Sequence, residues 1–232
     1  TLMKISIIIP CFNEEKTLSK IVDKVLLFKS YEKEIIIVDD CSEDNTPNII
    51  NDLVAKFNEI KSIRHEKNYG KGAGIKSGVK ISTGDIILIQ DADLEYNPED
   101  YDSLLEPFLK TDADVVYGSR FLGGKYVRLS FFWHYVANKL LTTLCNTFTN
   151  LNMTDMETGY KLFKSNAIKS IDLREKSFGI EPEITVKLAK KKYNFYEVPI
   201  SYSGRSYDEG KKIGLKDAFK AIYCIIRYRF FD

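Results

Sequence analysis

Short runs of β-branched and other apolar residues alternate with amphipathic helical segments in the first half of this sequence, and this alternation constrains the fold most. Residues 4–9 are typical of a buried strand, and residues 14–28 carry apolar side chains at helical spacing. Further strands are predicted at residues 34–38, 60–65, 85–89 and 114–117, with helices at 47–57, at 72–81 and after Pro98. Because helices join successive parallel strands, we expect an α/β fold with a mostly parallel sheet and helices on both faces.

Beyond residue 120 the alternation gives way to longer helical patterns. We predict helices at residues 131–150, 182–191 and 215–230, an extended piece at 159–163 and a strand at 195–199. Since no repeat or Pro/Ser-rich linker interrupts the chain, residues 1–205 are predicted to form one domain. Residues 206–232 are predicted to form a basic amphipathic helix that either packs on this domain or faces a membrane. The apolar stripe of that helix comprises Leu215, Phe219, Ile222, Ile226 and Phe230.

Composition and charge exclude several classes of protein. Hydrophobic residues make up 44% of the chain, which is typical of a packed globular protein. The longest apolar run, residues 221–226, is far shorter than the ~20 residues that span a membrane, and no signal-peptide pattern is found. The net charge of +1 combines −5 over residues 1–186 with +6 over residues 187–232. With near-neutral charge and no nucleic-acid-binding motif, nucleic acid is not an expected partner.

The four cysteines form no CxxC pair, which disfavours a structural zinc site. Free thiols in a reducing compartment are the simplest explanation, so we expect a cytoplasmic protein.

Acidic residues gather where the predicted strands end. The first, second and fourth strands are followed by PCFNE (10–14), DDCSED (39–44) and QDAD (90–93). Ligands of open parallel sheets bind outside the carboxyl ends of the strands. Asp91 and Asp93 directly follow an apolar strand, and such a pair becomes favourable when Mg²⁺ or Mn²⁺ binds it, with a diphosphate supplying further ligands. Helix capping is the alternative explanation for part of this pattern.

A glycine-rich stretch, GKGAG at residues 70–74, follows the third predicted strand. It matches neither the dinucleotide-binding pattern GxGxxG nor the phosphate-loop pattern GxxxxGK followed by Ser or Thr. Close approach of a helix to a strand accounts for these glycines instead.

Taken in order, these segments resemble glycosyltransferase family 2, the inverting enzymes of GT-A fold. Within that family the resemblance is strongest to the polyprenyl-phosphate (dolichol-phosphate) mannosyl- and glucosyltransferases, and it runs from about residue 4 to residue 205. The matching segments are PCFNE (10–14), VDDCSEDNT (38–46), NYGKG (68–72), DAD (91–93), GSRF (118–121), TD (154–155) and TGY (158–160).

The resemblance implies a donor site at the strand ends. Asp39 or Asp40 would bond the base or ribose, since an ionised carboxylate accepts hydrogen bonds strongly. Asp91 and Asp93 would hold Mg²⁺ or Mn²⁺ on the diphosphate, with Asp93 acting in catalysis. The residues that this reading assigns to the nucleotide-sugar are Pro10, Asn13, Glu14, Asp39, Asp40, Lys71 and Asp91.

The resemblance also implies an acceptor site. Asp155 is the candidate general base, and it could instead orient a sugar hydroxyl or cap a turn. Arg120 and Arg205 are candidates to grip a phosphate, and ordinary ion pairing is the alternative for each.

Three functions are consistent with these residues. The first is a metal-dependent inverting glycosyltransferase that moves a sugar from a GDP- or UDP-sugar to a polyprenyl phosphate. Such an enzyme would be peripheral on the cytosolic membrane face or held there by a membrane protein. The second transfers the sugar to a sugar hydroxyl of a growing glycan. The third is a nucleotide-sugar-binding module without catalysis.

Overall fold

The computed structural model describes residues 3–128, 132–204 and 215–232. The strands are β1 (Lys4–Cys11), β2 (Glu32–Asp39), β3 (Ile60–Arg64), β4 (Ile86–Ile89), β5 (Val115–Ser119), β6 (Lys161–Lys164) and β7 (Phe195–Pro199). The helices are α1 (Leu18–Leu27), α2 (Thr46–Lys56), α3 (Lys71–Ile81), α4 (Tyr101–Lys110), α5 (Phe132–Thr149), α6 (Ser165–Lys169), α7 (Ile180–Lys190) and α8 (Leu215–Phe230).

The predicted strands and long helices are all found, and the differences lie mainly at their ends. The helix predicted to begin at residue 14 begins at Leu18, because the preceding residues form a turn that bonds to the next loop. The helix predicted after Pro98 starts as a 3₁₀ turn, Pro98–Asp100, before α4. The short helix α6 was not predicted, since five residues carry too little periodicity to detect.

One mixed sheet forms the centre of the fold, in the order β3-β2-β1-β4-β6-β5-β7. The strand β6 runs antiparallel to β4 and β5, and the other neighbouring strands pair in parallel. The expected mostly parallel α/β sheet is therefore confirmed. Since β1 lies between β2 and β4, the carboxyl ends of these three strands open onto one edge of the sheet.

Helices cover both faces of the sheet, as predicted. On one face, α1, α2 and α4 pack on alternate side chains of β1 such as Ile5, Ile7 and Ile9. On the other face, Ile8 and the side chains that alternate with it on β2 and β4 contact α3 and the helices from α5 onward. The central strands β1, β2 and β4 are thus buried on both sides, which explains why the sequence shows continuous apolar runs there rather than alternation.

The C-terminal helix α8 packs on the domain through the face that carries Ala221, Cys224, Ile225 and Tyr228. The sequence left open whether the apolar stripe packs on the domain or faces a membrane, and most members of the stripe whose side chains are described do not pack on the domain. Phe219 is 72% exposed, and Ile226 and Phe230 also face outward, whereas Ile222 is partly buried. The buried face of α8 instead packs in the cluster that also contains residues of α5 and α7.

The predicted domain boundary and the predicted role of Arg205 stay predictions. The domain boundary at residue 205 and Arg205 itself lie outside the described residues. Among the residues that the structure describes, no helix has both the length and the apolar character needed to cross a membrane.

Candidate active site

The loops after β1 and β2 bond to each other at the carboxyl edge of the sheet. The Asn13 side chain accepts a hydrogen bond from the Glu43 N–H at 2.8 Å, and the Asn13 N–H donates to Ser42 Oγ at 2.9 Å. The Glu14 N–H donates to Thr46 Oγ1 at 2.9 Å. Asn13 has φ of 54°, a left-handed conformation that asparagine tolerates. Asn13 and Glu14, both predicted for the nucleotide pocket, therefore also fix the shape of that edge.

The adjacent aspartates at the end of β2 have different surroundings. Asp40 accepts hydrogen bonds from the Tyr69 N–H (2.9 Å) and the Gly70 N–H (2.6 Å), and it contacts His65 Nδ1 at 2.7 Å. Asp40 is thus engaged in holding the loop between β3 and α3.

Asp39 instead retains an acceptor. Its Oδ1 accepts from the Ser42 N–H at 2.9 Å, whereas its buried Oδ2 has no hydrogen-bond partner within the described residues. An arginine, Arg64, lies 3.5 Å from that oxygen on the exposed side. Of the two aspartates assigned to the base or ribose, the structure leaves Asp39 with the spare acceptor.

The glycine-rich stretch packs tightly, as the sequence predicted. A Cβ on Gly74 would come within 3.0 Å of the Pro10 side chain on β1, and one on Gly78 would collide with Ile8. Gly70 has φ of 97° and lies against the backbone of Lys176. Gly74 and Gly78 therefore let α3 approach β1, whereas Gly70 and Gly72, on either side of Lys71, lie against the backbone of residues 175–176.

Lys71 lies directly on the first aspartate of the DAD segment. Its Nζ is 2.7 Å from Asp91 Oδ1 and 3.2 Å from Glu181 Oε1 at the start of α7. Burial opposes the charged form, but the carboxylates of Asp91 and Glu181 outweigh it and raise the pKa of Lys71. The ammonium therefore stays charged at the point where a diphosphate and its metal are expected.

Asp91 and Asp93 offer hard oxygen donors that suit Mg²⁺ or Mn²⁺. Asp93 is 8% exposed, and its Oδ1 accepts from the Glu95 N–H at 3.1 Å. A Cβ on Gly159 would collide with Asp91 Oδ2, so the missing side chain leaves that carboxylate its space. Within the described ranges no three His, Cys, Asp or Glu side chains gather as a metal site. The residues fit a metal that takes its remaining ligands from a diphosphate and water.

The predicted acceptor residues Arg120 and Asp155 bind each other. Arg120 Nε and Nη2 donate to Asp155 Oδ2 and Oδ1 at 2.6 and 2.7 Å, and Asn138 Nδ2 on α5 donates to Oδ1 at 3.1 Å. Burial opposes ionisation of Asp155, but the Arg120 guanidinium outweighs it and lowers the pKa of Asp155. Arg120 itself remains partly exposed, and its Nη1 takes no part in this pair.

A further carboxylate fixes the turn that carries Asp155. Glu197 on β7 accepts from the Thr154 N–H at 2.9 Å and from the Asp155 N–H at 3.2 Å. The guanidinium of Arg120 also lies over the Tyr202 ring, 5.1 Å from its centroid. The orientation of Arg120 is therefore set by several elements that are distant in sequence.

Sequence reasoning missed four polar residues of this region: Asn138, Glu157, Glu181 and Glu197. A buried Asn within a helix such as α5 has no local pattern that separates it from an exposed one. The Glu-Pro-Glu segment at the start of α7 was the available signal for Glu181. It was ambiguous, because acidic residues in the first turn also stabilise the N-terminus of a helix.

Comparison with known proteins identifies the family. The sequence profile described as Glycosyl transferase family 2 matches residues 6–172. This chain belongs to glycosyl transferase family 2. Among the members of this family, a dolichol-phosphate mannosyltransferase of Pyrococcus furiosus is 30% identical over 231 residues. The match covers 97% of this chain and 63% of that protein, so the chain spans less than two thirds of this relative.

A second relative matches along nearly its whole length. The UDP-N-acetylglucosamine–dolichyl-phosphate N-acetylglucosaminyltransferase of Methanococcus voltae is 29% identical, over 96% of this chain and 94% of that protein. Among solved structures, glucosyl-3-phosphoglycerate synthase of Mycobacterium tuberculosis, in complex with Mn²⁺, UDP and glucosyl-3-phosphoglycerate, aligns with a TM-score of 0.72. That alignment has 18% identity and covers 98% of this chain and 80% of the other. It confirms the GT-A fold expected from the sequence.

Proposed function

We propose that this family 2 glycosyltransferase moves a sugar from a nucleotide-diphosphate-sugar to a polyprenyl phosphate, with inversion and with Mg²⁺ or Mn²⁺. The contact between Lys71 and Asp91 carries the proposal, because it sets a charged ammonium beside a DAD carboxylate at the sheet edge. A diphosphate and a divalent cation complement that arrangement. The two relatives named for dolichol phosphate support the acceptor class.

The donor would bind across the ends of β1, β2 and β4. Asp39 Oδ2, which makes no hydrogen bond within the described residues and lies 3.5 Å from Arg64, would accept from an N–H or O–H of the nucleoside, and Lys71 would neutralise charge on the diphosphate. Asp91 and Asp93 would hold the metal, which when bound offsets the negative charge of the departing diphosphate. Pro10, Asn13 and Glu14 would shape the surrounding wall.

The acceptor would bind at Arg120, with its phosphate on the partly exposed guanidinium. A phosphate oxygen attacks the anomeric carbon, and the bond from that carbon to the diphosphate breaks with its electron pair. The phosphate already carries negative charge, so the attack requires no proton removal. This agrees with Asp155, whose lowered pKa and two bonds to Arg120 make it a poor base and a good positioning residue.

The first experiment is a transfer screen. GDP-mannose, UDP-glucose and UDP-N-acetylglucosamine are each tested with a short polyprenyl phosphate, with and without Mg²⁺ or Mn²⁺. We expect sugar transfer with one donor and none in the presence of a chelator. Transfer only to a glycan hydroxyl would support the second function, and nucleotide-sugar binding without turnover on any acceptor would support the non-catalytic module.

The role of Asp155 is tested with Asp155→Asn. A positioning role predicts a roughly ten-fold higher KM for the polyprenyl phosphate, with the pH profile of kcat retained. The exposed Asp102→Asn on α4 is the control. A large loss of kcat with unchanged KM and a lost limb of the pH profile would instead identify Asp155 as the base.

The membrane expectation rests on large side chains that face outward on α5 and α8. Trp133 is 75% exposed beside Phe132, and Phe219 and Phe230 face outward on α8. Aromatic side chains of this kind favour the interface of a bilayer. We expect the protein to co-sediment with vesicles that contain an anionic lipid, and Trp133→Ala with Phe219→Ala to reduce this binding. If the double variant binds vesicles as well as the wild type does, Trp133 and Phe219 have no role in membrane binding.

A further inference from the structure

Two carboxylates lie beside the diphosphate end and the acceptor end of the proposed site. Lys71 with Asp91 marks the first end, and Arg120 with Asp155 marks the second. The transferred sugar must lie between them, because one bond at its anomeric carbon is broken toward the diphosphate and another is formed toward the acceptor. Glu181 contacts the first end, and Glu157 lies near the second.

One carboxylate oxygen of Glu181 contacts Lys71, and the other makes no hydrogen bond within the described residues. Glu181 lies in the first turn of α7 and is 6% exposed. Its Oε1 is 3.2 Å from the Lys71 ammonium, whereas its buried Oε2 has no hydrogen-bond partner among the described residues. A buried carboxylate oxygen without a donor is costly, so such an atom points to a missing ligand group.

Glu157 shows the same property. Its Oε1 is shielded from solvent and has no hydrogen-bond partner in the described part of the chain. The nearby Lys161 does not supply one, because its ammonium donates to the carbonyls of Met156 (2.7 Å) and Thr158 (2.5 Å). Burial, and next the charge of Glu181, raise the pKa of Glu157. The two acidic groups with unused acceptors therefore lie close enough for the charge of Glu181 to oppose ionisation of Glu157.

We infer that Glu181 and Glu157 bind the sugar of the donor, each accepting a hydrogen bond from one of its hydroxyl groups. This inference rests on the proposed function and adds the residues that select the sugar. A neutral ligand rich in hydroxyl groups satisfies both oxygens without adding negative charge, whereas a phosphate at the same place would be repelled. The positions of the hydroxyl groups that bond to Glu181 and Glu157 then decide which hexose is accepted. A sugar without a hydroxyl at one of these positions leaves a buried acceptor unpaired and binds much more weakly.

The test measures what the sugar adds to nucleotide binding. Dissociation constants are determined by calorimetry for UDP-glucose, UDP-N-acetylglucosamine and GDP-mannose, and for UDP and GDP, with Glu181→Gln and Glu157→Gln beside the wild type. Glutamine at position 181 keeps an oxygen for Lys71 and replaces the free one with an N–H₂ group. We expect nucleotide-sugar affinity to fall about ten-fold in each variant, with the affinity for the matching nucleoside diphosphate unchanged.

Deoxy analogues of the preferred donor give a second, sharper measurement. One analogue should bind wild type about ten-fold more weakly than the intact donor, yet bind Glu181→Gln as well as the intact donor does. A different analogue should behave in this way with Glu157→Gln. If every deoxy analogue loses the same factor of affinity in wild type and in both variants, the inference is overturned.

The matched control is Glu183→Gln, two residues further along α7. Glu183 is fully satisfied by the N–H groups of Arg174 and Glu175 and by Lys187, so its loss should lower thermal stability without changing the contribution of the sugar. Equal weakening of nucleoside diphosphate and nucleotide-sugar by Glu181→Gln would show that Glu181 only supports Lys71, and would overturn the inference. Binding of no nucleotide by wild type would instead mark failure of the proposed function itself.

Discussion

The strand β2 carries a buried carboxylate near each end, and the two differ in what they bind. Glu34 near the start is 3% exposed and accepts from Ser6 Oγ (2.6 Å), Thr83 N–H (2.6 Å) and Lys61 Nζ (2.8 Å). Asp39 at the end is 2% exposed and leaves Oδ2 without a hydrogen bond in the described residues. The same strand thus has a completed polar network at one edge and an incomplete one at the other.

In the proposed function, this difference separates the acids that stabilise the fold from those that bind a ligand. At the amino edge the carboxylate ties β1, β3 and the start of β4 together, so its bonds contribute to stability. At the carboxyl edge an acceptor is left for a group from outside the chain. Asp40 and Asp155 also lie at the carboxyl edge, but their oxygens are bonded, Asp40 by the loop before α3 and Asp155 by Arg120, whereas Glu181 resembles Asp39 in keeping one oxygen without a hydrogen bond.

The largest effect is expected from Asp93→Asn at the carboxyl edge. Loss of one charge from the metal-binding pair should lower the transfer rate about a thousand-fold, which corresponds to ~4 kcal/mol of barrier. The fold should be unaffected, as judged by circular dichroism and thermal melting. The exposed Asp102→Asn should retain wild-type transfer. Wild-type turnover by Asp93→Asn, or by wild type with metal chelated, contradicts the assignment.

At the amino edge Glu34→Ala should cost about 3 kcal/mol of unfolding free energy, because it leaves Ser6, Thr83 and Lys61 without their acceptor. Urea denaturation measures this loss. The affinity of the folded protein for nucleoside diphosphate should be unchanged. Glu32→Ala on the same strand, where the side chain is exposed, should change neither quantity. A large change of nucleotide affinity in Glu34→Ala would erase the distinction between the edges.

Asp39→Asn should show the opposite behaviour to Glu34→Ala. Its Oδ1 can still accept from Ser42, so the unfolding free energy should change by less than about 1 kcal/mol. The affinity for UDP or GDP should fall about ten-fold, since the free acceptor becomes a donor. Isothermal calorimetry gives the affinity. If Asp40→Asn weakens nucleotide binding more than Asp39→Asn without lowering stability, the roles of the two are reversed.

The smallest effect is a pH dependence from Glu34. Burial opposes its ionisation, but Lys61, Ser6 and Thr83 outweigh it and lower the pKa of Glu34 from 4.5 to about 2. A lowered pKa in the folded state gives stability that is present above pH 4.5 and is lost as pH falls toward about 2. Urea melts over this range should show the loss in wild type and a shallower one in Glu34→Gln. Identical acid profiles would exclude this contribution.

Much of the donor half of the site was predictable because its signals are local. A continuous apolar run predicts a doubly buried strand, and Asp91 and Asp93 follow β4 directly in the sequence. Parallel pairing then brings the ends of β1, β2 and β4 to one edge whatever the details of the loops.

The acceptor half was only partly predictable because its contacts join distant parts of the chain. Arg120 and Asp155 were each selected, yet nothing local indicates that they bind each other across 35 positions or that Asn138 joins them. The buried face of α8 could likewise not be predicted, because an apolar stripe in the sequence does not indicate which helices pack against it.

The order of residues alone determined the α/β class, the strand ends that carry acids and the membership of glycosyl transferase family 2, since periodicity and short motifs are properties of neighbouring residues. The tertiary structure decided which acids keep a spare oxygen. Asp39 and Asp40 are adjacent and chemically identical. The backbone N–H groups of Tyr69 and Gly70, which the packing of α3 on β1 brings there, and the His65 ring occupy the oxygens of Asp40, whereas Asp39 Oδ2 makes no hydrogen bond within the described residues.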